Sequence, residues 1–284
     1  MKSLLINPVL NKEIKLRFRS FKGFLGVFFY LFALGVVAIG FIIVNTVYSS
    51  SVMFRPEQSR AMFMVLSFVQ MALILFMTPG LTSGVISGER ERQTLNILLT
   101  TPQSSFSIIF SKLISSLAYL MLMMVSSLPL YSIVFLFGGV SPKLLLTTFS
   151  LYVITMVTIG SIGVFFSTLI RKTIIATIVT YGITLFLTAG TAFLTIIGSQ
   201  IFAFNGTNQT AFPYFTAMVN PIIILLSKFE EYLANEISNT TGIDFPLMAS
   251  FIITYIIISV LVLTISIMKL RPNRKAKKGT VKDG

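Results

Sequence analysis

Six long stretches without a charged side chain constrain this chain more than any other feature. They run approximately Gly23–Tyr48, Ala61–Gly84, Leu113–Phe137, Leu144–Ile170, Thr173–Phe204 and Leu247–Met268. About 20 apolar residues of helix cross the hydrocarbon core of a bilayer. Within lipid, a helix meets its own backbone hydrogen-bonding needs segment by segment. Each stretch therefore predicts one transmembrane helix, and the chain reads as an all-α polytopic membrane protein. Composition agrees, since 55% of the residues are hydrophobic and only 11% are charged, against about 25% charged in soluble domains. Pro79-Gly80 in the second stretch and Pro129 in the third should bend or loosen the helix there. The first run is about twice as long as a signal-peptide core and no small-residue cleavage site follows it, so it reads as a span.

Charge placement predicts sidedness. With the N-terminus inside, the inner segments hold Lys2, Lys12, Lys15, Arg17, Arg19, Lys22, Arg90, Arg92, Lys112, Arg171, Lys172 and the seven basic residues from Lys269 onward. The outer segments hold only Arg55, Arg60, Lys143 and Lys228. Positive charge is retained on the cytoplasmic side, so both termini are expected there, with residues 269–284 as a basic cytoplasmic tail. The net charge of +13 does not point to nucleic acid, because the basic residues flank spans rather than coat a soluble surface. The chain has no cysteine and no histidine. That excludes thiol nucleophiles, histidine acid–base chemistry and the usual zinc and haem sites.

Two segments are more than connections. In residues 7–22, Asn7 suits an N-cap and Pro8 a first helical residue. Leu10, Ile14, Phe18 and Phe21 recur on one helical face, with Lys12, Lys15 and Arg19 on the other. This pattern predicts an amphipathic helix lying in the membrane interface, its basic side toward anionic headgroups. Residues 88–101 place Glu89, Arg90, Glu91 and Arg92 in succession, then Thr94, then the apolar Leu95, Ile97, Leu98 and Leu99, and Pro102 follows. Acidic residues near a helix start suit its dipole. An apolar face would be wasted in a free loop, so a surface helix that docks against something is expected. Residues 205–246 include Phe212-Pro213-Tyr214-Phe215 and Pro221–Leu226, too apolar for a free loop and too short to cross a bilayer. Half-inserted helices or a small extracytoplasmic subdomain would both fit.

These residues together carry a resemblance. Asn7–Ile14 with basic residues after it, Gly88–Leu95 followed by Leu98-Leu99-Thr100-Thr101-Pro102, Lys112, Pro129 and the Phe137-Gly138-Gly139-Val140 turn make the chain similar to the membrane subunits of ABC-2 type ABC transporters. The resemblance spans nearly the whole chain, and the glycine-acid-Thr-Leu-Leu-Pro segment is its most specific part. It implies that residues 7–22, including Pro8, Leu10, Ile14, Phe18 and Arg19, are the family's interfacial connecting helix. It implies that residues 88–101 are a coupling helix that contacts an ATPase subunit through Glu89, Arg90, Glu91, Arg92, Thr94, Leu95, Leu98 and Leu99. It further implies re-entrant helices in 205–246, a second copy or paralogous permease as partner, and two ATPase subunits that carry the ATP and Mg. The expected setting is the plasma membrane of a prokaryotic cell.

Residue content narrows the function in the same direction. No G-x-x-x-x-G-K-[ST] phosphate loop occurs, so ATP hydrolysis would belong to another polypeptide and no cofactor is expected on this one. An intramembrane enzyme needs acids, nucleophile–base pairs or metal ligands within its spans, and ion-coupled carriers usually place ionisable groups at mid-membrane. The six spans hold no Asp, Glu or His. An exporter permease powered in trans is the leading expectation, with an ion-conducting or ion-coupled transporter as alternative. An uncharged path would suit a hydrophobic or amphipathic cargo, such as a drug, a peptide antibiotic or a lipid-like molecule.

Overall fold

Every regular element among the described residues is a helix, as six uncharged apolar runs require. The computed structural model describes residues 21–48, 55–95, 103–204 and 210–270. The expected interfacial helix with Pro8, Leu10, Ile14, Phe18 and Arg19, the residues Leu98 and Leu99, and the tail from 271 onward lie outside the described residues.

Numbered in chain order, α1 is Phe21–Tyr48, α2 Pro56–Thr82, α3 Ser87–Glu91, α4 Ser105–Ser126, α5 Leu128–Leu136 and α6 Pro142–Leu169. Then follow α7 Thr173–Leu185, a π-helical turn Phe186–Gly190, α8 Thr191–Phe204, α9 Phe212–Ala217, α10 Pro221–Phe229, α11 Glu231–Thr241 and α12 Leu247–Leu270. Among the described residues, six helical units are long and apolar enough to cross a membrane: α1, α2, α4 with α5, α6, α7 through α8, and α12. This is an integral membrane protein.

Two helices begin well before their uncharged runs, and in each the intervening cation is partnered. Helix α4 starts at Ser105 and carries Lys112, which is 4% exposed and paired with Glu89 at 3.1 Å. Helix α2 starts at Pro56 and carries Arg60, whose guanidinium donates to the Phe229 carbonyl at 2.7 Å. The third unit is interrupted at Ser127, where Pro129 in the first turn of α5 cannot supply an N–H. Pro79 leaves α2 unbroken as far as Thr82.

Helix α6 is the hub. It packs on α2, α4, α7, α10 and α12, and it is the most buried of the spanning units. By contrast α1, the α7–α8 unit and α12 are mostly exposed and turn apolar faces outward. Close approach of α6 to α2 depends on Gly163, where a Cβ would overlap the Thr82 hydroxyl. Small residues let membrane helices approach closely in this way. The core is aromatic: Phe63, Tyr131, Phe149 and Tyr152 form a chain with ring centroids 5.5, 5.4 and 5.6 Å apart, within the range of favourable edge and tilted contacts.

Over 205–246, where half-inserted helices or a small extracytoplasmic subdomain were expected, the described residues form three short helices: α9, α10 and α11. They are fastened to the spans by polar bonds. Tyr214 donates to the Phe245 carbonyl at 3.0 Å and pairs with Ser250. Tyr255 donates to the Val219 carbonyl at 2.8 Å. Asn220 is fully buried and uses both ends of its amide. Its oxygen accepts from Ile222 and Ile223 N–H, capping α10. Its Nδ2 donates to the Thr188 carbonyl and, at 2.8 Å, to Thr191 Oγ1. Thr188 lies within the π-helical turn, and such turns disturb the regular backbone ladder.

Candidate coupling surface

The segment after α2 forms a small structure clamped onto the end of the bundle. Helix α3 is one turn long. Its N-cap position is Ile86, which has no side-chain oxygen to accept the free N–H groups of the first turn. Ser167, near the end of α6, supplies the acceptor. Its Oγ receives Ile86 N–H at 2.8 Å and Ser87 N–H at 2.9 Å, and all three residues are 0% exposed. Ser83, just before α3, pairs its hydroxyl with Thr177 of α7 at 2.8 Å.

The charged run continues the clamp. Arg90 donates to the Thr168 carbonyl at the end of α6 at 3.1 Å. Glu91 accepts from both the amide and the hydroxyl of Thr173, at 2.8 and 2.7 Å. Thr173 is the first residue of α7, so a carboxylate of the loop caps the start of the fifth spanning unit, where the helix dipole favours negative charge. The two Thr173 bonds, with Lys172 adding to them, hold the Glu91 carboxyl below the usual carboxylate range. Glu89 accepts from Lys112 Nζ at 3.1 Å and from the Thr94 hydroxyl. Burial acts to raise the Glu89 carboxyl, but Thr94 and Lys112 outweigh it and the net direction is down.

The end of α3 is equally defined. Gln93 has φ +60. Its N–H bonds the Arg90 carbonyl at 3.1 Å, and Thr94 N–H bonds the Glu89 carbonyl at 3.0 Å. This pair of bonds is a Schellman ending with glutamine where glycine is usual. The chain then turns Leu95 inward. It is 7% exposed in a cluster with Ile86, Ile108, Ile109, Leu113, Val164 and Leu270.

Of the expected helix over 88–101, the described part holds the turn that ends at Glu91, a break over 92–94, and Leu95, which is helical again; residues 96–101 lie outside the described residues. Glu89, Arg90 and Glu91 are bonded within the chain, Leu95 packs inward, and Arg92 and Gln93 are exposed. Sequence reading placed Glu89 through Thr94 on a surface helix but did not identify Ser167, Thr168 or Thr173 as their partners. The available signal was topological: if both connections lie on one side of the membrane, residues 83–95 and 167–173 share an end of the bundle. Among the described residues, no cluster of acidic side chains could hold a metal ion.

Residues 8–270 match a family model described as ABC-2 family transporter protein. No curated protein matches the chain.

Proposed function

Since the chain belongs to the ABC-2 family of transporter proteins and is thus the membrane permease component of an ABC transporter, we propose that it is half of an exporter driven by a separate ATPase. The clamp between α3 and three spanning units carries this reading. A force applied to residues 87–94 would pass through Lys112 into α4, through Ser167 and Thr168 into α6, and through Thr173 into α7. Few bonds would have to stretch, because each link is direct. A loop bonded only to its neighbours in sequence could not transmit motion in that way.

In this reading the clamped segment is the coupling element. It would present Arg92 and Gln93, with Leu98 and Leu99 beyond them, to an ATPase subunit that binds ATP and Mg. The clamp end of the bundle and both chain termini are cytoplasmic, as the skew of basic residues favours. The second half is another copy or a paralogous permease, the cargo is hydrophobic or amphipathic, and the setting is a prokaryotic plasma membrane. The helix of residues 7–22 would lie in the interface beside α1.

The test replaces Leu98 and Leu99 together with Asp and measures capture of the ATPase encoded with this chain, alongside the amount of permease in the membrane. Burying a leucine is worth about 1.5–3 kcal/mol, and a buried unpaired charge costs more. Capture should fall sharply at unchanged membrane level. Undiminished capture and transport would refute the coupling role. Because the native chain has no cysteine, labelling of cysteines placed at Asn239 and Lys277 tests orientation. Asn239 should react from outside and Lys277 only after permeabilisation.

A further inference from the structure

Many helical hydroxyls among the described residues share one habit. Thr78, Thr82, Thr158, Ser161, Thr168, Thr180, Thr184 and Thr188 all donate to the carbonyl four residues back, at 2.6–3.0 Å. That is how an apolar setting accommodates a hydroxyl. Ser67 on α2 and Thr148 and Thr155 on α6 depart from it. Each is fully buried, and its hydroxyl has no hydrogen-bond partner.

These three do not stand alone. Thr148, Tyr152 and Thr155 share one face of α6 by their spacing, and the Tyr152 hydroxyl donates to the Ser67 carbonyl at 2.9 Å. Tyr131 of α5 faces the hydroxyls of Tyr152 and Ser67, but makes no hydrogen bond of ordinary geometry with either. Tyr30 of α1 lies beside Ser127, and its hydroxyl is likewise unmatched. Gln70, one turn from Ser67, accepts from Ser127 at 3.1 Å while its Nε2 has no acceptor. Thus α1, α2, α5 and α6 each turn a buried polar atom that lacks a well-formed hydrogen bond toward one neighbourhood of the bundle. Leaving one such group unmet costs about 1–3 kcal/mol. Several together would be a heavy burden at a place where α4 has already been broken.

We propose that this neighbourhood binds ordered water molecules, forming a hydrated polar site inside the helical bundle. A buried water typically makes about three hydrogen bonds to otherwise unmet groups. Hydroxyls and an amide from four different helices supply both donors and acceptors. Such waters join α1, α2, α5 and α6 through bonds that re-form when the helices shift, which direct side-chain bonds do not permit as readily. The site carries no charge and is separate from the clamp at α3, so it stands whether or not that segment couples to an ATPase.

The experiment is hydroxyl-radical labelling by a short X-ray pulse of the full chain in lipid nanodiscs, read by mass spectrometry. Radicals formed from bound water modify side chains beside it even when bulk solvent cannot reach them. Tyr255 is the internal reference. It is 1% exposed, and its hydroxyl is already bonded to Val219. Tyr131 and Tyr152 should be modified several-fold faster than Tyr255, and the double variant Ser67→Ala, Thr155→Val should lower labelling of Tyr131. Equal rates for Tyr131, Tyr152 and Tyr255 in the unaltered protein would overturn the proposal. So would fast labelling of Tyr131 that the double variant leaves unchanged, since the water would then not be held by these groups.

Discussion

Replacing Ser167 with Ala tests the clamp at its most buried link. The substitution removes one oxygen that accepts two backbone N–H groups, those of Ile86 at 2.8 Å and Ser87 at 2.9 Å. Ser87 loses its hydroxyl contact with Ser167 at 3.2 Å but keeps its hydroxyl bond to the Ser83 carbonyl at 3.2 Å, so the loss falls chiefly on the two amides. An unmet buried donor costs about 1–3 kcal/mol. The small space left by the hydroxyl, near the end of the bundle, lets the amides relax, which favours the lower end of that range for each and about 2 kcal/mol in total. A change of 1.4 kcal/mol is a factor of ten in a local opening equilibrium, so amide exchange over residues 86–91 should quicken about thirtyfold. Hydrogen exchange of the membrane-embedded protein reads this directly. Ser150→Ala is the control. Its hydroxyl bonds only the Leu146 carbonyl of its own helix and is exposed, so residues 86–91 should not respond. If Ser167→Ala left exchange at 86–91 unchanged, the two bonds would not hold α3, and transmission into α6 would rest on Arg90 and the Thr168 carbonyl alone.

Three further outcomes follow from the same geometry. Gln93→Gly relieves a left-handed residue at the end of α3 and should slow exchange of the Thr94 amide, for a gain of about 0.5–1 kcal/mol after the extra freedom of glycine is counted; faster exchange would contradict the assigned ending. Asn220→Ala removes the α10 cap and the donor to the Thr188 carbonyl, and should cost about 2–3 kcal/mol, seen as a lower Tm and loss of protection at Ile222 and Ile223. Glu89 has a depressed carboxyl in the clamp, so its contribution is complete above the value of the released group and is lost as pH falls through the depressed one; acid loosening of residues 86–94 should become less steep in Glu89→Gln.

The spanning helices were legible in the sequence because lipid imposes one solution on an uncharged run of sufficient length. The same logic placed two helix starts well inside the helices. A lone Lys112 or Arg60 ends such a run on paper, and only folding brings Glu89 to the one and the Phe229 carbonyl to the other. Pro129 marked the break in the third span by local chemistry alone, whereas Pro79 sits in a helix that continues past it.

The coupling segment was visible as a charged insert followed by leucines, yet its side chains gave no hint of their direction. Glu91 facing Thr173, Arg90 facing Thr168 and Leu95 facing Ile108 are contacts between segments distant in sequence, and periodicity says nothing about them. The same holds for Asn220 at the π-helical turn and for the polar neighbourhood around Tyr131. By itself, the sequence determined which segments enter lipid, because partition into hydrocarbon depends on local composition. Tertiary structure decided which buried polar groups meet, because a hydrogen bond depends on ångström-scale placement of helices that composition leaves free to rotate and slide.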